Sequence, residues 1–273
     1  MLARAGGENF PVALRLLPGR LRRDLMALYG FARLADQVGD AHPGDRGDRL
    51  RVLDALEADL DRAFTGNARH ALLRDLTPVL QRRELPREPF ARLIEANRRD
   101  QRVARYATWA ELLDYCTLSA NPVGELVLQL AGAATPERLA WSDAICTALQ
   151  VIEHSQDVLE DCEAGRIYLP GELLAAEGCP EADLVKAPAS PALRRVLARL
   201  AGRARALLRS GDPLVPSLRG AARLAVAGFV AGGHAALDAL EAAGFDVTSA
   251  SVAPARGRVA RRALGLWAGR ASR

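Results

Sequence analysis

Two segments of the sequence carry a pair of aspartates separated by three residues, and the first pair is Asp36 and Asp40. Tyr29 and Arg33 precede this pair, so the four side chains follow one another at spacings of 4, 3 and 4. Residues three and four apart share one face of a helix. The sequence therefore predicts a polar stripe on an otherwise apolar helix. A solvated helix face with an arginine–aspartate pair is the alternative interpretation.

The second segment repeats this arrangement with Gln150, Glu153, Asp157 and Asp161, at spacings of 3, 4 and 4. Aspartates are ionised at pH 7, and each like-charge contact at about 4 Å costs on the order of 4 kcal/mol at an effective dielectric constant of 20. Four converging aspartates therefore need cations. Oxygen ligands favour Mg²⁺, which also takes phosphate oxygens as ligands. The two segments together predict a magnesium–diphosphate site.

Two further features fit such a site. Arg33 and Arg166, the latter at the start of the loop Arg166-Ile-Tyr-Leu-Pro170, would add fixed positive charge for a phosphate group. The segment from Tyr115 to Glu125 contains Pro122 within an apolar helical pattern, which predicts a kink because proline has no backbone N–H to donate. A kinked helix of small residues can border a long apolar tunnel, and an ordinary kinked core helix is the alternative.

The composition and periodicity predict an all-α protein with a single domain over residues 1–273. Hydrophobic residues make up 49% of the chain and aromatic residues 5%, and apolar residues recur with the helical period. The net charge of +4 is spread along the chain, which argues against a dedicated nucleic-acid-binding protein. The predicted helices are Arg20–Asp40, Arg46–Phe64, Ala68–Arg83, Arg87–Val103, Thr108–Ala131, Pro136–Cys162, Ala192–Ser210, Val215–Ala243 and Ala255–Ala268.

The cysteines and the C-terminal segment bear on location. The 4 cysteines form neither a Cys-x-x-Cys pair nor a zinc spacing, so we expect reduced thiols in a cytoplasmic protein. The C-terminal segment 255–273 is basic and partly amphipathic, with Val259, Ala263, Leu266 and Trp267 on one side of a helix. Such a helix suits peripheral docking on the anionic inner face of a membrane. A solubilising tail is the alternative.

Together these segments resemble the squalene/phytoene synthase family, over most of the chain from Glu8 to about Asp246. The aspartates of both segments match the family's two D-x-x-x-D motifs, and Arg166–Pro170 matches its R-x-Y-L-P loop. Tyr115 stands at the position of the family's active-site tyrosine. The resemblance implies an isoprenoid synthase-type helical bundle with a central active-site cavity.

Within the family, the chain looks most like the branch that acts on presqualene diphosphate. The similar stretches are Glu8–Val12, Arg105–Trp109 and Ser119–Gly124. The resemblance implies Mg²⁺-assisted loss of diphosphate, rearrangement of the cation and capture by water to give hydroxysqualene, in squalene and hopanoid synthesis. No NADPH is expected, in agreement with the lack of a Rossmann glycine pattern. Head-to-head condensation of two prenyl diphosphates is the alternative, and a non-catalytic binding or assembly module is a second one.

The resemblance also implies roles for individual residues. The aspartates would hold magnesium, and Glu153, which replaces the family's usual asparagine, would be a further ligand. Tyr115 would stabilise the cation or position the water. We also expect contact with other enzymes of the squalene route. The residues expected to bind the prenyl diphosphate substrate are Asn9, Tyr29, Arg33, Gln150, Arg166 and Tyr168.

Overall fold

The structure, a computed structural model, describes residues 18–41, 43–253 and 256–268. Within these ranges the regular structure is helical, apart from one isolated parallel β-bridge between Arg105 and Ile167. The all-α prediction is therefore confirmed, and all four cysteines are free thiols, as predicted. The helices are α1 (Gly19–Ala41), α2 (Arg46–Phe64), α3 (Ala71–Arg83), α4 (Glu88–Asp100), α5 (Trp109–Ser119), α6 (Asn121–Leu130), α7 (Pro136–Gln156), α8 (Val158–Glu163), α9 (Gly171–Ala176), α10 (Pro191–Gly211), α11 (Leu214–Ser217), α12 (Gly220–Ala242) and α13 (Arg256–Trp267), with a short 3₁₀ turn at Glu181–Asp183.

Three helices predicted as continuous are each interrupted in the structure. The predicted helix over Val215–Ala243 breaks at Leu218 and Arg219, whose extended backbone separates α11 from α12. The predicted helix over Thr108–Ala131 breaks at Ala120, because Pro122 has no N–H to continue the ladder and instead occupies the first turn of α6. The predicted helix over Pro136–Cys162 breaks at Asp157, whose φ of −98° and ψ of 21° depart from helical values. The break at Ala120 lies within the segment from Tyr115 to Glu125, and the break at Asp157 lies within the second aspartate segment.

Two hydrophobic clusters make up most of the core. The N-terminal cluster joins α1, α2, α3, α4 and α6, and at its centre Phe31 packs edge-to-face on Phe90 with ring centroids 5.1 Å apart. The C-terminal cluster joins α5, α7, α10 and α12 around fully buried residues such as Leu193 and Leu237. Each such side chain contributes roughly 1.5–3 kcal/mol when buried. The two clusters meet at α4, α6 and α12, each of which contributes buried residues to both.

Three of the helices in the C-terminal cluster begin at a side-chain cap. Thr108, Thr135 and Ser190 each accept a hydrogen bond from the backbone N–H three residues later, at 3.2, 3.3 and 3.2 Å. Such a cap satisfies one of the N–H groups that a helix start leaves unpaired. The first turns of α5, α7 and α10 are therefore fixed at defined residues, which sets the register of the side chains that follow.

The C-terminal helix α13 packs against α12. Val259 is buried against Ala231 and Ala235 of α12, and Ala263 and Leu266 pack beside it. The predicted apolar side is thus mostly turned inward, whereas Leu264 and Trp267 are exposed. Docking on a membrane stays a prediction, and its apolar contacts would come from these two exposed residues.

One helix of the described chain, α12, is long and apolar enough to cross a membrane by length and composition, and it is mostly buried.

Candidate active site

A polar cavity of about 230 Å³ lies at the junction of the two hydrophobic clusters. It brings together all but two of the residues that the sequence analysis selected. Tyr29 lies instead in the wall of a neighbouring apolar cavity, and Asn9 falls outside the described residues. The selected residues that line the polar cavity are Arg33, Asp36, Asp40, Tyr115, Gln150, Glu153, Asp157, Asp161, Arg166 and Tyr168.

A glycine between the two aspartates of α1 allows α4 to approach closely. A Cβ atom on Gly39 would overlap the side chain of Asn97. The Gly39 carbonyl accepts a hydrogen bond of 2.9 Å from Gln101 Nε2, and Asn97 Nδ2 donates to Asp36 Oδ1 at 3.4 Å. Asn97 was not predicted as a site residue. The close packing of α4 therefore orients one carboxylate of the first aspartate pair.

Asp36 resists ionisation in this setting. Its enclosure by protein raises the pKa to about 7, and the negative charges of Asp40 and Glu153 add to that effect. The hydrogen bond from Asn97 and the charge of Arg33, which lies 3.9 Å from the carboxylate, act in the opposite direction. Because Glu153 belongs to α7, this interaction also shows that the two aspartate segments face each other across the cavity.

Asp157 shows the same behaviour on the opposite wall. Burial raises its pKa to about 6, and the neighbouring charges of Glu153, Glu160 and Asp161 contribute further. A carboxylate whose pKa is raised by like charges is stabilised in its ionised form when a cation arrives. The cavity therefore has the electrostatic character of a cation site.

The ligand set fits Mg²⁺ that is shared with a bound phosphate group. Among the described residues, no group of three or more His, Cys, Asp or Glu side chains is placed to hold a metal ion unaided. Mg²⁺ typically takes one or two carboxylates and completes its octahedron with water and substrate phosphates. Pairs of aspartates on two facing helices suit that mode of binding.

The loop that carries Arg166 is held in place by backbone and side-chain contacts. The β-bridge between Arg105 and Ile167 attaches it to the segment before α5, and Arg105 Nη1 donates to the Gly165 carbonyl at 2.9 Å. From this fixed loop Arg166 Nη1 reaches α1 and donates to Asp40 Oδ1 at 2.8 Å. The guanidinium thus lies among the aspartates, where an anionic group would meet it.

Two tyrosine rings and a carboxylate form one wall of the cavity. The hydroxyls of Tyr115 and Tyr168 donate to the two oxygens of Asp100, at 2.8 and 3.0 Å. Their rings lie 5.4 Å apart, and Tyr106 packs against both. Burial raises the pKa of Asp100. Asp100 was not predicted from the sequence, although its position three residues after Asn97 places both on one face of α4.

His154 is a third residue that was not predicted for the site. Its ring stacks on Tyr168 with centroids 3.8 Å apart, and its Nδ1 lies 3.4 Å from Asp161 Oδ2. Gln150 Nε2 lies 3.0 Å from the other ring nitrogen. His154 therefore connects Gln150, Asp161 and Tyr168 and fixes their positions.

Two apolar cavities share walls with the polar one. The first, of about 270 Å³, is lined by residues such as Leu28 and Leu126 and shares Arg33, Asp36 and Glu153 with the polar cavity. The second, of about 200 Å³, lies between α5, α6, α7 and α12 and shares Ser119, Gln150 and Glu153. The kinked α5–α6 segment borders it, as predicted. The combined space suits a ligand with an anionic head and long apolar chains.

The chain belongs to the squalene/phytoene synthase family, whose model matches residues 3–263. It is a prenyl diphosphate-processing synthase. The geometry agrees with this class, because acidic and basic side chains surround a cavity that continues into apolar walls.

Individual relatives carry different names. The chain is 38% identical to a hydroxysqualene synthase from Rhodopseudomonas palustris, over 78% of this chain and 72% of the relative. It is 33% identical to a phytoene synthase from Thermus thermophilus, over 89% of this chain and 82% of the relative. A crystal structure of a squalene synthase from Alicyclobacillus acidocaldarius is 41% identical, with a TM-score of 0.82 over 90% of this chain and 92% of that one. These relatives belong to one family, but their names describe different reactions.

Proposed function

We propose that this protein converts presqualene diphosphate and water into hydroxysqualene and diphosphate, with Mg²⁺ as cofactor and without NADPH. The observation that carries the proposal is the polar cavity, in which both aspartate segments face each other and from which two apolar cavities extend. The similarity to proteins named hydroxysqualene synthase, at 38% identity in two species, supports this particular reaction.

The charged residues of the cavity would bind the diphosphate and its counter-ions. Asp36 and Asp40 on α1, with Asp157 and Asp161 around the α7–α8 break, would hold magnesium, and Glu153 stands beside them as a further oxygen ligand. When bound, magnesium supplies Lewis-acid stabilisation of the departing diphosphate. The negative charge of the diphosphate would balance the charge of the metal ions. We expect Arg166 to shift its hydrogen bond from Asp40, and Arg33 its 3.9 Å ion pair from Asp36, to phosphate oxygens.

The remaining walls would control what the carbocation meets. Apolar side chains around the two side cavities exclude bulk water, which would otherwise react with the cation at any position. The rings of Tyr115 and Tyr168 form a polarisable wall beside the polar cavity, and an aromatic ring face attracts positive charge. Gln150, held by His154 at 3.0 Å, would present its amide to a phosphate oxygen or a water molecule.

Condensation of two prenyl diphosphates is the second candidate function, because the Thermus relative at 33% identity is named a phytoene synthase. A non-catalytic module is disfavoured because all four aspartates line one cavity.

We further propose a cytoplasmic enzyme that contacts other enzymes of the squalene route and docks on the inner membrane face through α13. The exposed Leu264 and Trp267 support that docking, and vesicle sedimentation of a Leu264→Ser/Trp267→Ser variant tests it.

The test of the reaction uses purified protein with Mg²⁺ and without NADPH. Presqualene diphosphate is supplied in one reaction and farnesyl diphosphate in another, and the products are identified by mass spectrometry. A C30 alcohol from presqualene diphosphate alone supports the proposal. Consumption of farnesyl diphosphate moves the protein to the condensing branch, and inactivity with both substrates contradicts both reactions at this chain length.

A further inference from the structure

Tyr115 and Ser119 lie one helical turn apart on α5, at the border between the polar cavity and an apolar one. Both residues line the polar cavity, and Ser119 also lines the apolar cavity of about 200 Å³. The Ser119 hydroxyl is buried and has no hydrogen-bond partner within the part of the chain that the structure describes. A buried hydroxyl without a partner is costly and uncommon, which points to a ligand that supplies one.

Tyr115 can only accept a further hydrogen bond. A phenol has one proton to donate, and the proton of Tyr115 is directed at Asp100 Oδ2, 2.8 Å away. Asp100 is fixed from the other side by the hydroxyl of Tyr168 at 3.0 Å. The tyrosine oxygen therefore offers lone pairs to the cavity and a connection to a carboxylate behind it.

We propose that Tyr115 and Ser119 hold the water molecule that captures the carbocation, and that Asp100 receives the released proton by way of Tyr115. This inference rests on the proposed hydroxysqualene-forming reaction. The water needs two partners to be oriented, and the two hydroxyls on one face of α5 supply them at the point where the cationic carbon of an apolar chain would leave the diphosphate region.

The step balances in atoms and charge. The water oxygen forms the C–O bond with a lone pair, and one water O–H bond breaks as its proton moves to the Tyr115 oxygen. Tyr115 simultaneously gives its own proton to Asp100, so the positive charge of the cation and the negative charge of Asp100 both disappear. Burial raises the pKa of Asp100, and it raises the pKa of Tyr115 well above its ordinary value. A tyrosinate is therefore disfavoured, and Tyr115 passes the proton on without remaining charged.

Without an oriented water, the cation would end by losing a proton from carbon to give a hydrocarbon. The ratio of C30 alcohol to C30 hydrocarbon therefore reports water capture, and diphosphate release reports ionisation. We expect Ser119→Ala, Tyr115→Phe and Asp100→Asn to lower that ratio about tenfold each, the effect of losing one positioning hydrogen bond, whereas Thr117→Ala should change neither the ratio nor the rate of diphosphate release.

Two further variants sharpen the experiment. Ser119→Thr keeps the hydroxyl and is expected to retain the wild-type product ratio. Thr117→Ala is the matched control on the same helix, because the Thr117 hydroxyl is exposed and donates to the Asp114 carbonyl. Tyr115→Phe retains the aromatic ring, so its effect separates the hydroxyl from any contact between the ring and the cation.

The outcomes distinguish this inference from the proposed reaction. If the wild type forms alcohol and Ser119→Ala and Tyr115→Phe form it in the same ratio, the water site is wrong while the reaction stands. If only Asp100→Asn keeps the wild-type ratio, Asp100 is not the proton acceptor. If the wild type forms no alcohol, the reaction and the water site both fail. Should circular dichroism show that Asp100→Asn or Tyr115→Phe is unfolded, the comparison of Ser119→Ala with Ser119→Thr decides.

Discussion

Replacing Asp36 by asparagine should stabilise the metal-free protein at the expense of its function. The folded protein raises the pKa of Asp36 from 3.8 to about 7, a difference that corresponds to roughly 4 kcal/mol at most. Because 48% of the side chain is exposed to solvent in the cavity, screening reduces this to about 1–2 kcal/mol. Asp36→Asn keeps the shape of the side chain and removes the charge.

The sign of the pH dependence follows from which state binds the proton. Between pH 3.8 and about 7 the folded protein holds a proton on Asp36 that the unfolded chain has released, so the wild type loses stability as the pH rises through that range. With a chelator at pH 8, Asp36→Asn should raise Tm by about 2–6 °C. At pH 5 less than half of that gain should remain.

The assay is thermal unfolding with a chelator present, followed by circular dichroism at both pH values. Asp246→Asn is the control with the opposite sign, because hydrogen bonds from the Ala189 and Ser249 backbone and the charge of Arg194 lower the pKa of Asp246 to about 2. That stabilisation is present above the ordinary pKa and is lost only as the pH falls toward 2. The reasoning is refuted if Asp36→Asn lowers Tm at pH 8 as Asp246→Asn does, or raises it equally at both pH values.

Three further predictions follow from the site and its supports. Asp157→Asn should abolish turnover, measured as diphosphate release, while the circular dichroism spectrum stays that of the wild type; a wild-type rate would contradict the metal site. Gly39→Ala should force its Cβ against Asn97 and cost about 1–3 kcal/mol in urea unfolding, whereas Gly202→Ala, where nothing lies within 4 Å, should cost nothing. Arg105→Ala should loosen the loop that carries Arg166 and raise KM about fivefold with a smaller change in kcat; an unchanged KM would show that the β-bridge alone holds the loop.

The sequence predicted which residues line the cavity better than it predicted the contacts between those residues. Helical spacing alone was enough to place Asp36 with Asp40 and Glu153 with Asp157 on common faces, because residues three and four apart meet on any helix. Asp100 and His154 were missed, since their contacts with tyrosines come from other elements. The kink at Pro122 was predicted, because proline cannot donate to the helical ladder. The break at Asp157 was missed.

The C-terminal helix shows the same limit. Its amphipathic pattern predicted an apolar side, but the sequence did not reveal which surface that side would cover. In the structure Val259 packs against α12, so the pattern was satisfied within the protein. A periodic apolar face indicates that the face is buried but does not indicate against which surface. Only the tertiary packing identifies that surface.

The polar cavity lies between the two hydrophobic clusters, so a ligand bound there would contact both parts of the molecule. Without cations, the carboxylates of α1 and α7 repel each other across the cavity. A diphosphate with its metals would instead tie the halves together, adding its binding free energy to the stability of both at once. Ligand binding would then slow hydrogen exchange of the backbone amides of α1 and of α7 together. Product release would begin with the separation of these two helices.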